Sequence, residues 1–421
     1  MDILELKQGV SACFIKNSRF KSRLFTVRFL LPCDRQTVTE NAMAAHLISE
    51  RCEKYPEPEK LRRELKKLCG ADIGVSFEKS GDNQLITFSL RALSDRYGIN
   101  GEPCFTDALD ILYNLIFLQG VSEEFGISDV ERTRRAWSDK LDGDLNDKRI
   151  YAKSKAENIM YGDEGYGIPR LGYRESMEKA DGKTLYNAYR RLLENAMIRL
   201  TFVGEENPEE IFKKWGRAFP DTPRAEFKMS PVKEKLSEPK RGTERMDVTQ
   251  GKLVMCFTTS QIGGDRETAP RVVFTDLFGG GPYSNLFSVV REKMSLCYYC
   301  SARTTRIKGV MTVESGVEEK NAEAAAEAIL AQLYEIRKGN FSEEQLTSSK
   351  LSICESLRGA DDKIFTADSW YGQRLFDKHP LSPEEFSDLI SGVTREEIIE
   401  CAKDTALDTV YFLLTKENKN D

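Results

Sequence analysis

Two short stretches of this 421-residue chain hold residue types and spacings that can do chemistry. One is Arg291-Glu292-Lys293-Met294-Ser295-Leu296-Cys297-Tyr298, which follows the glycine run Gly279-Gly280-Gly281. The Arg291 guanidinium and the Tyr298 phenol are hydrogen-bond donors. Each can hold a peptide carbonyl and stabilise charge developing on its oxygen, with no metal of its own. The other stretch is His46-Leu47-Ile48-Ser49-Glu50. Residues four apart on a helix face the same way, so in H-x-x-E-H two imidazoles reach one zinc and the glutamate deprotonates the metal-bound water. This chain has Ser49 where that base belongs and Glu50 where the second imidazole belongs. A serine hydroxyl has no basicity near neutral pH. His46 and His379 are the two histidines, and they lie in different halves, so no second imidazole is at hand. His46 with Glu50 is a weaker, two-donor set without a base. His46 reads best as a helical residue that is packed or hydrogen-bonded at a domain surface.

The remaining motifs carry less. The glycine run is not followed by Lys-Ser/Thr and does not fit G-x-G-x-x-G, which argues against a phosphate cradle and for a hinge or a close backbone approach. Cys297 and Cys300 form a lone C-x-x-C in a predicted strand, where positions three apart point to opposite faces. The ten scattered cysteines read as reduced core thiols. A net charge of −6 argues against nucleic acid as a partner. No apolar run approaches the roughly 18 residues of a membrane span. The start, Met1-Asp2-Ile3-Leu4-Glu5-Leu6-Lys7, lacks a basic patch leading into an apolar block, so the expected location is cytoplasmic.

The elements that must position these residues recur in one order. Leu24 to Leu30 alternates as a strand, and a helix follows near Glu40 to Lys54. A charged helix near Glu59 to Leu68, the strands Ile73 to Phe77 and Gln84 to Leu90, and a helix from Phe105 to Phe117 come next. Leu185 to Leu193 reads as a helix and Ile198 to Val203 as a closing strand. The second series runs through the strand Leu253 to Phe257, the helix Thr268 to Phe278 and a short helix Asn285 to Arg291. The strands Leu296 to Arg303 and Gly309 to Glu314 follow, then a long helix Ala322 to Arg337. Ser342-Glu343-Glu344-Gln345 is a capping box opening another helix, and the strand Thr409 to Leu414 closes the series. Pro223, Pro231, Pro239 and many charges mark 221–250 as a linker. The expectation is an α+β protein made by tandem duplication, with an antiparallel-rich sheet and helices packed on one side of it. Its expected domains are 1–220, a linker 221–250 and 251–421.

Gly279 to Phe287 running into Arg291-Glu292-Lys293 and Leu296-Cys297-Tyr298 resembles the second half of the M16 (insulinase/pitrilysin-type) peptidases and their inactive relatives. Met43-Ala44-Ala45-His46, the helix at Asp129 to Leu141 and Tyr161-Gly162 to Gly172 support the resemblance in the first half. It covers most of the chain and implies two M16-type (LuxS/MPP-like) domains. In that family one half carries zinc and the other an arginine–tyrosine pair, which would be Arg291 and Tyr298. The degenerate metal positions would be His46, Ser49 and Glu50. The family's third ligand, placed seven residues after a glutamate such as Glu131, falls on Ser138.

The resemblance therefore implies a chain inactive alone, with no cofactor bound by it and zinc expected in a partner. That partner would be a second M16 chain with an intact zinc motif, or a second copy in a homodimer, and the substrate an extended peptide. The alternative is a non-proteolytic peptide-binding scaffold in a maturation complex, such as elongation factor P modification. An atypical zinc hydrolase built on His46 and Glu50 is the weakest reading.

Overall fold

The computed structural model describes residues 3–224, 227, 232–260, 263–374, 377 and 379–416. The chain divides into two units, each assembled from separated segments. The first is Met1–Asp142, Pro169–Lys228 and Ala360–Pro380; the second is Gly143–Ile168, Met229–Gly359 and Leu381–Asp421.

The first unit holds β1 (Ile3–Lys7), β2 (Val10–Lys16), β3 (Ser22–Pro32), β4 (Asp72–Ser80), β5 (Asn83–Leu93) and β6 (Met197–Gly204), in the sheet order β1-β2-β6-β3-β5-β4. β2 and β6 run parallel, and every other neighbouring pair is antiparallel. β5 alternates buried and half-buried residues, as a strand with one face on a core must. Central β3 is buried on both faces. On one face Phe25, Phe29 and Phe88 pack with α1 (Val38–Glu50), α3 (Cys104–Phe117) and the indole of Trp215. α2 (Pro58–Lys67) joins α1 to the hairpin, with Pro58 at its first turn and only Leu61 and Leu65 buried. α4 (Ile127–Asn146) carries Trp137 into the same core.

The second unit holds β7 (Lys240–Met246), β8 (Gly251–Thr258), β9 (Cys297–Thr305), β10 (Val310–Val317) and β11 (Ala406–Thr415), in the order β7-β11-β8-β10-β9. β7 and β11 are parallel and the other pairs antiparallel. Strand for strand this repeats β2-β6-β3-β5-β4, so the duplication expected from the order of elements is present. The stretch read as a linker contains β7, whose backbone pairs along β11 although its side chains, Met246 apart, are charged or small. Its residues 225, 226 and 228–231, Pro231 among them, lie outside the described residues.

Each sheet also receives one helix from the opposite half of the sequence. α5 (Lys148–Tyr161) packs Ala152, Ala156 and Met160 against Val254, Cys256 and Leu413 of the second sheet. The helix Ile364–Gly372 packs on β3 and β6, and Ile364 joins Cys13, Ile15, Leu24 and Val203 on the sheet face opposite the main core. There Arg28 Nη2 donates to Asp368 Oδ2 at 2.5 Å, while Arg28 Nη1 donates to Thr26 and Thr201. Both charged side chains are almost fully buried.

Candidate functional site

α1 presents His46 and Glu50 on one side, four residues apart. A cavity of about 560 Å³ opens there, lined by His46 and Glu50 of α1, Glu57, Pro58, Glu59 and Arg62 at α2, and Arg132, Thr133 and Ala136 of α4. The sequence-expected positions are only partly brought together in it. Ser49 Oγ donates to the His46 carbonyl at 2.7 Å, a bond back into its own helix. Glu50 Oε2 accepts from Arg62 Nη2 at 2.8 Å. Ser138 is not part of this lining. Its hydroxyl accepts from Arg174 Nη1 at 2.9 Å, while its neighbour Trp137 is the residue beside the His46 ring, centroids 6.0 Å apart. Burial, with the Lys140 charge second, lowers His46 from 6.5 to about 4, so the ring is neutral near pH 7; the Glu50 charge opposes this.

A hydrolytic zinc does not fit these residues. One imidazole is present, its carboxylate neighbour is held by a guanidinium, and the base position is a hydroxyl bonded to the backbone. Among the described residues no three donors converge at His46. A catalytic zinc needs three protein donors and an open position.

The second unit places Arg291 and Tyr298 on adjacent elements. Arg291 lies on the helix Leu286–Lys293, which is wound as a π-helix: Met294 N donates to Val289 O, five residues back, at 2.9 Å. Such segments recur at functional sites. This helix packs on β9, where Tyr298 stands. The guanidinium lies over the Phe287 ring, 4.4 Å from its centroid, and it pairs with the adjoining Glu292 at 3.5 Å. Tyr298 is 58% exposed, and its hydroxyl donates to Glu318 Oε1 at 3.0 Å. That bond is the main cause raising the phenol above its usual range. Met294 is exposed beside them.

The glycine run ends the helix Asp265–Gly279. A Cβ on Gly279 would stand 2.6 Å from Ala302 N, so its hydrogen lets the helix end lie directly on β9. Tyr283 Oη donates to Asp276 Oδ1 at 2.6 Å and ties the loop back to that helix.

The expectation that Cys297 and Cys300 point to opposite faces is corrected by a β-bulge. Cys297 pairs with Val317 and Tyr299 with Gly316, so Tyr298 is an extra residue and the strand parity shifts. The two thiols are hydrogen-bonded, and that bond is the main cause lowering Cys297 to about 7, with Ser315 and Arg291 assisting against burial. No glycine or proline lies within β9 itself, and the one local signal was Gly316 on β10, directly opposite Tyr299.

Two duplicated α+β sheets, with a first-unit cleft whose residues do not fit zinc, resemble the M16 peptidases, and the known relatives support an inactive M16 member. The family described as peptidase M16 inactive domain matches residues 179–352. The chain is similar to the probable inactive metalloprotease YmfF of Bacillus subtilis, 27% identical over 408 residues that cover 96% of each protein. It is also similar to a conserved protein from Enterococcus faecalis of known structure, with a TM-score of 0.89, 26% identity and 99% of each chain covered. A peptidase M16 inactive domain from Pseudomonas fluorescens shares the fold, with a TM-score of 0.77 at 16% identity, over 100% of this chain and 99% of that one. No helix among the described residues is long and apolar enough to cross a membrane.

Proposed function

We propose that this chain is the metal-free, peptide-holding subunit of a heteromeric zinc peptidase. Arg291 and Tyr298 grip an extended peptide, and a second M16 chain with an intact H-x-x-E-H motif supplies zinc and base. The observation that carries this reading is the setting of the pair at the edge of a sheet. Among the described residues β9 pairs only with β10, so its outer edge carries no strand. An extended peptide can add there through backbone hydrogen bonds. Arg291 then donates to a peptide carbonyl, since Glu292 holds it only loosely. Tyr298 does the same after exchanging its bond to Glu318. Fixed donors of this kind orient the scissile bond and stabilise its developing oxyanion in the partner's site.

The test is reconstitution. This chain and an M16 chain with H-x-x-E-H are assayed separately and together on an unstructured peptide. Cleavage is expected in the mixture, with Arg291→Ala removing most of it. A mixture in which Arg291→Ala cleaves as fast as the unaltered chain overturns the gripping role. Peptide binding without cleavage in any pairing would instead favour the non-proteolytic scaffold.

A further inference from the structure

The first unit brings together two cysteines that lie 35 residues apart in the sequence. Cys69 follows α2, and Cys104 opens α3. Their sulfurs are 3.2 Å apart, and the Glu102 carboxylate lies within 4.8 Å of both. We propose that Cys69, Glu102 and Cys104 bind one thiophilic divalent cation, zinc, with water as the fourth ligand.

The local backbone is shaped for convergence. Cys69 takes φ 54° and Gly70 φ 73°, two consecutive left-handed residues that turn the chain sharply at the end of α2. A non-glycine residue there costs about 1 kcal/mol, a conformation kept where surrounding structure demands it. Pro103, between Glu102 and Cys104, fixes the approach to α3. The nearby Asp95 carboxylate is already occupied: Oδ1 accepts from Phe105 N at 2.6 Å and Thr106 N at 3.2 Å, and Oδ2 from Thr106 Oγ1 at 2.5 Å. Glu102, by contrast, makes no side-chain hydrogen bond or ion pair among the described residues.

Distances favour an ion over a disulfide. Tetrahedral zinc with bonds of about 2.3 Å to sulfur holds its two sulfurs about 3.8 Å apart. The pair would open by roughly half an ångström to accept it. A disulfide would need them to close by more than 1 Å, to about 2.05 Å, and would make no use of Glu102. When a dication binds, both thiols lose their protons to solvent and two sulfur–metal bonds form. The ion would clip the turn after α2 to the start of α3. It departs from the expectation that the chain binds no cofactor, and it stands independently of the peptide-holding reading.

The experiment uses the full chain, reduced and stripped by chelator, titrated with Co²⁺ and then Zn²⁺. One equivalent of Co²⁺ should bind with thiolate-to-cobalt absorption, release two protons and be displaced by Zn²⁺. Cys69→Ser and Cys104→Ser should each abolish the absorption, and Glu102→Gln should weaken affinity about tenfold or more. Cys297→Ser with Cys300→Ser should leave the titration unchanged. If Cys104→Ser does not fold, Cys69→Ser decides alone, because Cys69 is at an exposed turn. Absence of thiolate absorption in the unaltered chain, its survival in the Cys69→Ser/Cys104→Ser double variant, or a Cys69–Cys104 disulfide that persists under reductant overturns the site.

Discussion

Each unit carries an arginine on the short helix between its first long helix and its outer hairpin: Arg62 on α2, Arg291 on the π-helix. Their surroundings differ. Arg62 reaches back to the carboxylate of Glu50 on α1 and so occupies a donor that a metal would need. Arg291 is engaged by a ring on its own helix and by the adjoining Glu292, and its neighbour Tyr298 is mostly exposed on an edge strand. One scaffold has thus been filled inward in one unit and left outward-facing in the other. The His46 cleft differs from a metal site in what its residues bond to, as well as in the ligands it has.

The sharpest way to break this contrast is to truncate the two arginines in parallel. Arg291→Ala should lower partner-dependent peptide cleavage about a hundredfold, the usual order for one donor to a developing oxyanion, with an unchanged melting temperature. A loss of thermal stability of the same rank would mean that Arg291 is structural. The next effect concerns pH and belongs to the first unit alone. His46 titrates near 4 when folded and near 6.5 when unfolded. Below pH 6.5 the unfolded chain takes up a proton that the folded chain refuses, so stability is complete above that pH and falls towards pH 4. Denaturant titrations should show a loss on the order of 3 kcal/mol across this window, absent from His46→Gln.

Arg62→Ala should cost about 0.2–1 kcal/mol in chemical denaturation, because the pair with Glu50 is partly exposed, and should leave cleavage by the mixture unaltered. The smallest expected effect is none. Ser49→Glu/Glu50→His restores H-x-x-E-H, yet elemental analysis after gel filtration should find no stoichiometric zinc at His46. Among the described residues no third donor converges there, and the Lys140 and Arg62 charges disfavour a cation beside the ring. Retained zinc that is lost in His46→Ala would show that the cleft is closer to a working site than its bonding suggests.

Much of this architecture was legible before the structure. The strands near Leu24, Gln84, Ile198, Leu253 and Thr409 were readable because they alternate or run apolar, and the Ser342 box because local hydrogen bonds make it. The degenerate metal motif was readable because ligand spacing on a helix is local. What escaped was set by distant partners. β7, Lys-Arg-Gly-Thr-Glu-Arg-Met, is a strand because β11 offers its backbone a parallel edge, and nothing in its side chains says so. α5 buries small residues and a methionine on a sheet far along the chain, so it shows little apolar periodicity. Ser138, the degenerate position that corresponds to the family's third ligand, was placed by counting along a family pattern, and a helix rotates by about 100° for each residue of register. Its side chain is bonded to Arg174, and Trp137 faces the histidine.

The helix Ile364–Gly372 bears on how the protein is made. It completes the first unit with Asp368, the counter-charge to Arg28, yet it leaves the ribosome after nearly all of the second unit's strands have been synthesised. Until then Arg28 stays hydrated, and the sheet face that carries Cys13, Ile15, Leu24 and Val203 lacks its cover. A nonsense codon before residue 364 would leave that face of the amino-terminal sheet open to water.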